Sequence, residues 1–166
     1  VRLGLTGRAA IAPDAADLPR RALAKVGLQG YEGRLFQQLS GGEQQRAHLA
    51  RVLVQVWRPV VEGRPRWLFL DEPVAALDIG HQLQVMRLAQ DFARAGGGVV
   101  AVMHDLNLTA MCADAVCLMH HGRVLATGTP DAVFTDQTLS TAYGCMLKVS
   151  TPPPGGGVFI LPQAAA

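Results

Sequence analysis

Short apolar runs alternate along the chain with segments whose apolar positions recur at helical spacing. The runs 67–70 and 99–103 are continuous and apolar, which is typical of strands covered on both faces of a parallel sheet. The segments 44–56 and 79–95 carry apolar residues three and four positions apart and predict amphipathic helices. The pattern therefore predicts an α/β fold in which the two strands lie side by side.

Shorter elements are predicted around this core from runs bounded by glycine, proline and capping residues. In chain order they are a loop over 7–13, a helix capped by Asp14 or Asp17 and running to about Val26, a linker over 58–66, a helix over 106–112, strands over 115–119 and 123–126, small helices near 129–131 and over 139–143, and a hairpin of 146–149 with 158–161.

Polar residues follow both strands of the predicted core. Asp71 and Glu72 come directly after the run 67–70, Pro73 then ends the ladder, and His104 follows the second run. Ligands of open α/β sheets collect at the carboxyl ends of the strands, where an acid can hold Mg²⁺ beside a phosphate. A single strand of this kind could equally stop at a plain polar turn.

A Ser-Gly-Gly turn opens the helix predicted over 44–56. Ser40 is a favourable N-cap and Glu43 follows three residues later, which forms a capping box. Such a turn presents free backbone N–H groups and the positive end of the helix dipole to an anion. A phosphate is the ligand that this turn favours.

These segments together resemble the motifs of the ATP-binding cassette (ABC) ATPases. Residues 39–46 resemble the signature motif, 67–72 the Walker B strand with its catalytic glutamate, 76–78 the D-loop, and His104 the switch histidine. The four motifs stand in the family's order and at its spacing, and the resemblance covers nearly the whole chain. It implies a P-loop NTPase-like α/β domain with a parallel-strand core and a helical signature subdomain.

The Walker A motif of that family is absent from the sequence. A P-loop requires Gly-Lys-Ser/Thr, and the two lysines of the chain, Lys25 and Lys148, follow alanine and leucine. We therefore expect an incomplete nucleotide-binding domain, its C-terminal portion, that is inactive by itself. Its expected parts are a helical subdomain with the signature over 1–56, a Walker B to switch-histidine core over 57–128, and a C-terminal extension over 129–166.

The resemblance implies a role for each residue at the strand ends. Asp71 would help to hold Mg²⁺, and Glu72 would polarise the attacking water as general base. His104 would contact the γ-phosphate of ATP and keep the attacking water aligned with Glu72. Each of these residues alone would more often be structural, and only their combination favours catalysis.

The signature motif implies a dimer. Ser40, Gly41, Gly42 and Gln45 would bind a nucleotide held by the P-loop of a second copy, and Asp78 would contact that copy. Two cassettes would then meet head to tail around a two-fold axis, each completing the other's site.

The run 77–82 and the linker before residue 67 resemble the import ATPases for iron chelates, haem and cobalamin, most closely the haem branch. This implies ATP and Mg²⁺ as cofactors, integral-membrane permease subunits as partners, a periplasmic haem-binding protein as an indirect partner, and the cytoplasmic face of the bacterial inner membrane as location. A siderophore or cobalamin importer, or an inactive truncated module that only binds, remains an alternative.

Composition excludes several other classes of protein. The net charge of +2 is too small to indicate nucleic-acid binding, and no apolar run approaches the roughly 18 residues of a membrane span. The three cysteines contain no CxxC pair, which favours reduced thiols over a disulfide framework or a zinc site.

Overall fold

The computed structural model describes residues 16–162, which fall into two compact units that divide between Met103 and His104. The predicted loop over 7–13 and the candidate cap Asp14 lie outside the described residues. The first unit contains α1 (Leu18–Lys25), α2 (Gly41–Gln55), β1 (Val60–Val61), β2 (Arg64–Pro65), β3 (Trp67–Asp71), α3 (Ile79–Arg94) and β4 (Gly98–Val102), with a 3₁₀ turn over Phe36–Gln38. The second contains α4 (Leu106–Cys112), β5 (Val116–His120), β6 (Arg123–Gly128), α5 (Pro130–Val133) and α6 (Asp136–Tyr143).

The strands β3 and β4 pair in parallel, as predicted. Their register aligns Trp67 with Gly98 and Asp71 with Val102, so the carboxyl ends of both strands lie at one edge. Gly98 makes this pairing possible, because a Cβ atom there would lie 2.5 Å from the Trp67 ring. The acidic end of β3 is thereby fixed beside the end of β4.

The expectation that these strands are covered on both faces is wrong for the described residues. Leu68 is 1% exposed, whereas Phe69 on the opposite face is 71% exposed and Val100 beside it is also exposed. A continuous apolar run permits burial on both faces, but burial itself requires a packed layer on each side. Among residues 16–103 such a layer covers the Leu68 face, and α3 packs on β4.

Two helices form a second packed region of the first unit. Ala22 in α1 and Ala50 and Val54 in α2 are fully buried where these helices pack together. Gly27, with φ of 72°, follows α1 and lets the chain leave the helix in the left-handed conformation. The predicted helix before Gly27 and the predicted signature helix are both confirmed.

The segment predicted as a linker before β3 contains a small hairpin instead. Val60–Val61 pairs antiparallel with Arg64–Pro65, and the two residues between them, Glu62 and Gly63, have φ of 53° and 72°, both in the left-handed region. Two consecutive left-handed residues are what a tight type I′ hairpin turn requires. The sequence predicted a linker and not this turn, because the segment is rich in charged residues.

The second unit is built on the antiparallel pair of β5 and β6, which confirms the two predicted strands and their turn. Its core consists of Val116, Val133, Phe134 and Leu139, contributed by β5, by α5 with the residue after it, and by α6. The helix α6 starts earlier than predicted because the Thr135 hydroxyl accepts a hydrogen bond from the Thr138 N–H at 3.2 Å.

The hairpin predicted for 146–149 and 158–161 is wrong, since neither segment is a strand. The Leu147 N–H donates to the Ser140 hydroxyl at 3.0 Å, and the Val149 N–H donates to the Asp136 carboxylate at 2.8 Å. Side chains of α6 thus bind the backbone donors that a partner strand would have bound. Within residues 16–162, no helix combines the length and apolar character needed to cross a membrane.

Candidate functional site

The Ser-Gly-Gly turn is held by a complete capping box at the start of α2. The Glu43 N–H donates to the Ser40 hydroxyl at 3.4 Å, and the Ser40 N–H donates to the Glu43 carboxylate at 2.8 Å. The Tyr31 hydroxyl donates to the other oxygen of that carboxylate at 2.8 Å. The bond from the Ser40 N–H, followed by the bond from Tyr31, holds the pKa of Glu43 below its ordinary value.

The N–H groups of the next two residues are suited to an anion. Helix geometry leaves the first-turn N–H groups of Gly41 and Gly42 without an acceptor inside the helix. Ser40 and Gly41 are exposed, and a Cβ atom on Gly41 would meet no described atom within 4 Å. The turn predicted to bind phosphate is therefore open on its outer side.

The acidic pair lies in a tightly held turn after β3. Asp71 and Glu72 are exposed, while the following Pro73 and Val74 are buried. Glu72 has φ of 45°, a left-handed conformation that is uncommon for residues other than glycine. Its N–H donates to the Val102 carbonyl at 3.1 Å, so β4 fixes the first peptide of the turn.

Gln45 joins the signature helix to this acidic turn. Its side-chain Nε2 donates to the Glu72 carbonyl at 2.8 Å, and its Oε1 accepts from the Ala76 N–H at 3.3 Å. Gly42 also lies against the turn, because a Cβ atom there would be 3.1 Å from the Ala76 carbonyl oxygen. Sequence reasoning placed Gln45 with the nucleotide-binding residues and missed this contact, which joins residues 27 and 31 positions apart.

Asp78 begins α3 and is engaged in capping it. Its Oδ1 accepts from the His81 N–H at 3.0 Å, and its Oδ2 lies 2.6 Å from the His81 Nδ1. The bond from the His81 backbone, followed by the one with its imidazole, lowers the pKa of Asp78. A contact of Asp78 with a second copy stays a prediction.

His104 belongs to the second unit, where it is exposed just before α4. Asp105, which follows it, caps that helix by accepting from the Leu108 N–H at 2.9 Å. Every other predicted site residue lies in the first unit. The role of His104 stays a prediction.

Asp71 fits the requirements of a magnesium ligand. Among residues 16–162 its carboxylate accepts no hydrogen bond and forms no ion pair, so its oxygens are open to a ligand. The described part of the chain contains no group of three or more His, Cys, Asp or Glu side chains that could hold a metal. Mg²⁺ commonly uses one or two carboxylates together with waters and substrate phosphates, and Asp71 would suffice for such a site.

Comparison with known proteins identifies close relatives. The chain is 63% identical to the hemin import ATP-binding protein HmuV of Jannaschia sp. (strain CCS1), covering 99% of this chain and 60% of that protein. It is 55% identical to the protein of the same name from Mesorhizobium japonicum, covering 99% of this chain and 64% of the relative. The chain thus spans less than two thirds of the length of these curated relatives. No protein-family model matches the chain.

Solved structures identify the fold. A chain of an ABC transporter of metal-chelate type, in an inward-facing conformation, is similar with a TM-score of 0.68 at 23% identity, over 86% of this chain and 55% of that one. An ATP-binding cassette of another ABC transporter has a TM-score of 0.64 at 17% identity, over 80% of this chain and 50% of that one. The predicted fold class, an incomplete ABC ATPase domain, is confirmed.

Proposed function

We propose that the chain is a member of the ABC ATPase family and forms the C-terminal portion of an ATP-binding and ATP-hydrolysing subunit that drives haem import. The observation that carries the proposal is the contact between the capped signature turn and the acidic turn, through Gln45. The parts 1–56, 57–128 and 129–166 are its proposed helical, core and C-terminal regions.

The acidic turn would perform the chemistry. Phosphoryl transfer requires the protein mainly to align a water and to balance charge around the γ-phosphate. Glu72 polarises the water as general base, and Asp71 helps to hold Mg²⁺, which neutralises charge on the phosphates when bound. His104 contacts the γ-phosphate and keeps the water aligned. Both acids are exposed at the carboxyl end of β3, as this role requires.

The signature turn would act on the nucleotide of a second copy. Ser40, Gly41 and Gly42 bind the γ-phosphate of an ATP whose other phosphates lie in the partner's P-loop. The open outer side of the turn supports this role, since a ligand can approach Gly41 without displacing described atoms. Asp78 contacts the opposite copy, and the two copies form a head-to-tail homodimer.

The proposed cargo follows from the relatives, which are named hemin import ATP-binding proteins. Permease subunits spanning the bacterial inner membrane would be the direct partners, with this subunit peripheral on the cytoplasmic face. A periplasmic haem-binding protein would act through the permease. No described residue distinguishes haem from a siderophore or cobalamin, so the cargo requires its own test.

We expect that haem with its binding protein stimulates ATP hydrolysis by the natural transporter reconstituted in lipid vesicles, and that ferric siderophores and cobalamin do not. Because Glu72 is the proposed base, Glu72→Gln should retain ATP binding and lower turnover by about 10²- to 10⁴-fold. The assay is phosphate release with each cargo, together with binding of labelled ATP.

Two results would contradict the proposal in different ways. Stimulation by a siderophore or by cobalamin instead of haem would change the cargo and leave the ATPase intact. Unchanged turnover in Glu72→Gln would remove Glu72 as the base.

A further inference from the structure

Both polar atoms of the Gln45 side chain bind groups of its own chain. Its Nε2 faces a carbonyl, that of Glu72, at 2.8 Å, and its Oε1 faces an N–H, that of Ala76, at 3.3 Å. A single side chain thereby binds both ends of the turn 72–76. These contacts need one donor and one acceptor at the tip of a long side chain, which is what glutamine provides.

The residue at the start of that turn has an unusual backbone conformation. Glu72 has φ of 45°, and a residue other than glycine keeps such a conformation only where its surroundings hold it. Its N–H is held by the Val102 carbonyl at 3.1 Å, and its carbonyl accepts from Gln45 and, at 3.3 Å, from the Ala75 N–H. These contacts hold the Glu72 backbone at the start of the turn.

The middle of the turn is anchored separately. Pro73 and Val74 are buried, and the Gln82 side chain of α3 donates to the Val74 carbonyl at 3.3 Å. Gln45 therefore connects the backbone of the acidic turn to α2, the helix that begins with the signature turn. Gly42, packed near the Ala76 carbonyl, completes the contact between the two turns.

We propose that Gln45 is a positioning residue for hydrolysis, which holds the Glu72 backbone in its left-handed conformation and ties it to the signature helix. Both polar atoms of its side chain bind the turn, and these contacts are the basis of its role in place of a contact with the nucleotide. The proposal rests on the proposed function, in which Glu72 is the base.

The test is Gln45→Leu in the natural subunit, assayed in the reconstituted transporter. We expect kcat to fall about 10- to 100-fold, the effect of misplacing a reacting group by about an ångström, while KM for ATP stays unchanged. The matched control is Gln84→Leu, which removes another glutamine amide, one that donates to the Lys25 carbonyl at 3.1 Å. Its kcat and KM should equal those of the wild type.

A double variant separates positioning from an independent effect. If Gln45 acts through Glu72, then adding Gln45→Leu to Glu72→Gln should cause no further loss of residual single-turnover hydrolysis. The proposal would be overturned if the fold-loss of hydrolysis in the double variant equalled the product of the fold-losses in the two single variants. A raised KM for ATP in Gln45→Leu would also overturn it.

A second variant keeps the test decisive if Gln45→Leu does not fold. Gln45→Glu retains an acceptor for the Ala76 N–H but removes the donor to the Glu72 carbonyl, and kcat should again fall with KM unchanged. Full kcat in both folded variants would overturn the proposal. If Glu72→Gln loses turnover and the Gln45 variants keep it, the positioning role of Gln45 is rejected and Glu72 remains the proposed base. If Glu72→Gln keeps normal turnover, Glu72 is rejected as the base.

Discussion

Two adjacent glycines in the signature turn differ in what surrounds them. A Cβ atom on Gly41 would meet no described atom within 4 Å, whereas one on Gly42 would lie 3.1 Å from the Ala76 carbonyl oxygen and 3.4 Å from a methyl group of Leu77. The first glycine keeps the outer side of the turn open. The second lets the helix approach the acidic turn.

This difference predicts unequal effects of the two alanine substitutions on stability. Gly41→Ala should raise the free energy of unfolding by up to about 1 kcal/mol, because alanine favours a helix over glycine. Gly42→Ala should gain less or lose stability, because the same preference is offset by crowding against Ala76. Urea denaturation of both variants is the measurement, and equal gains would contradict the packing described for Gly42.

At this scale the sequence predicted residues with local partners and missed those with distant ones. The Ser40–Glu43 capping box spans three positions and is readable from the sequence, and the structure contains both of its bonds. Gln45 reaches a carbonyl 27 residues away, and nothing in its neighbourhood indicates that partner. Only the packing of α2 against the turn brings these groups together.

Among the elements, the segment after α6 is held by side chains of that helix. Lys148 Nζ lies 2.7 Å from one oxygen of the Asp136 carboxylate, and the Val149 N–H donates to the other at 2.8 Å. The bond from Lys148, followed by that from Val149, lowers the pKa of Asp136. A carboxylate with a lowered pKa contributes stability above its unfolded pKa and loses it as the pH falls.

Replacing Asp136 should therefore change how stability depends on pH. The wild type should be more stable than Asp136→Asn at pH 7, and this difference should shrink as the pH falls below about 4, the ordinary pKa of an aspartate. Thermal unfolding of both proteins between pH 7 and pH 3 measures it. A difference that stays constant over this range would show that the Asp136 charge does not hold the segment.

The same contacts explain why element prediction failed at this end of the chain. The apolar run 146–149 has the composition of a strand, but Ser140 and Asp136 bind the N–H groups of Leu147 and Val149. Apolar patterns predicted the longer elements, β3, β4 and α3, because burial of a whole face decides them. They could not predict side-chain bonds that replace a sheet ladder, nor which face of β3 would be covered.

For the whole molecule, the sequence sets a limit on activity. Residues 1–166 contain no Gly-Lys-Ser/Thr, so this polypeptide lacks the backbone cradle and lysine that hold ATP phosphates. We expect the purified 166-residue chain to hydrolyse little or no ATP, measured by phosphate release beside the natural reconstituted transporter. Robust turnover that Glu72→Gln abolishes would contradict this expectation.

The Gln45 bridge has a consequence for how a dimer would respond to ATP. In the proposed arrangement the signature turn of one copy touches the partner's ATP, whereas Glu72 of that same copy acts on its own ATP. Gln45 lies in the helix that begins with the signature turn, and its side chain contacts the carbonyl of Glu72 in the same copy. Energetic coupling between two binding events is reciprocal, so each nucleotide would influence the other by the same factor. Hydrolysis would then depend on both ATP molecules, and a dimer with only one ATP bound would not drive transport.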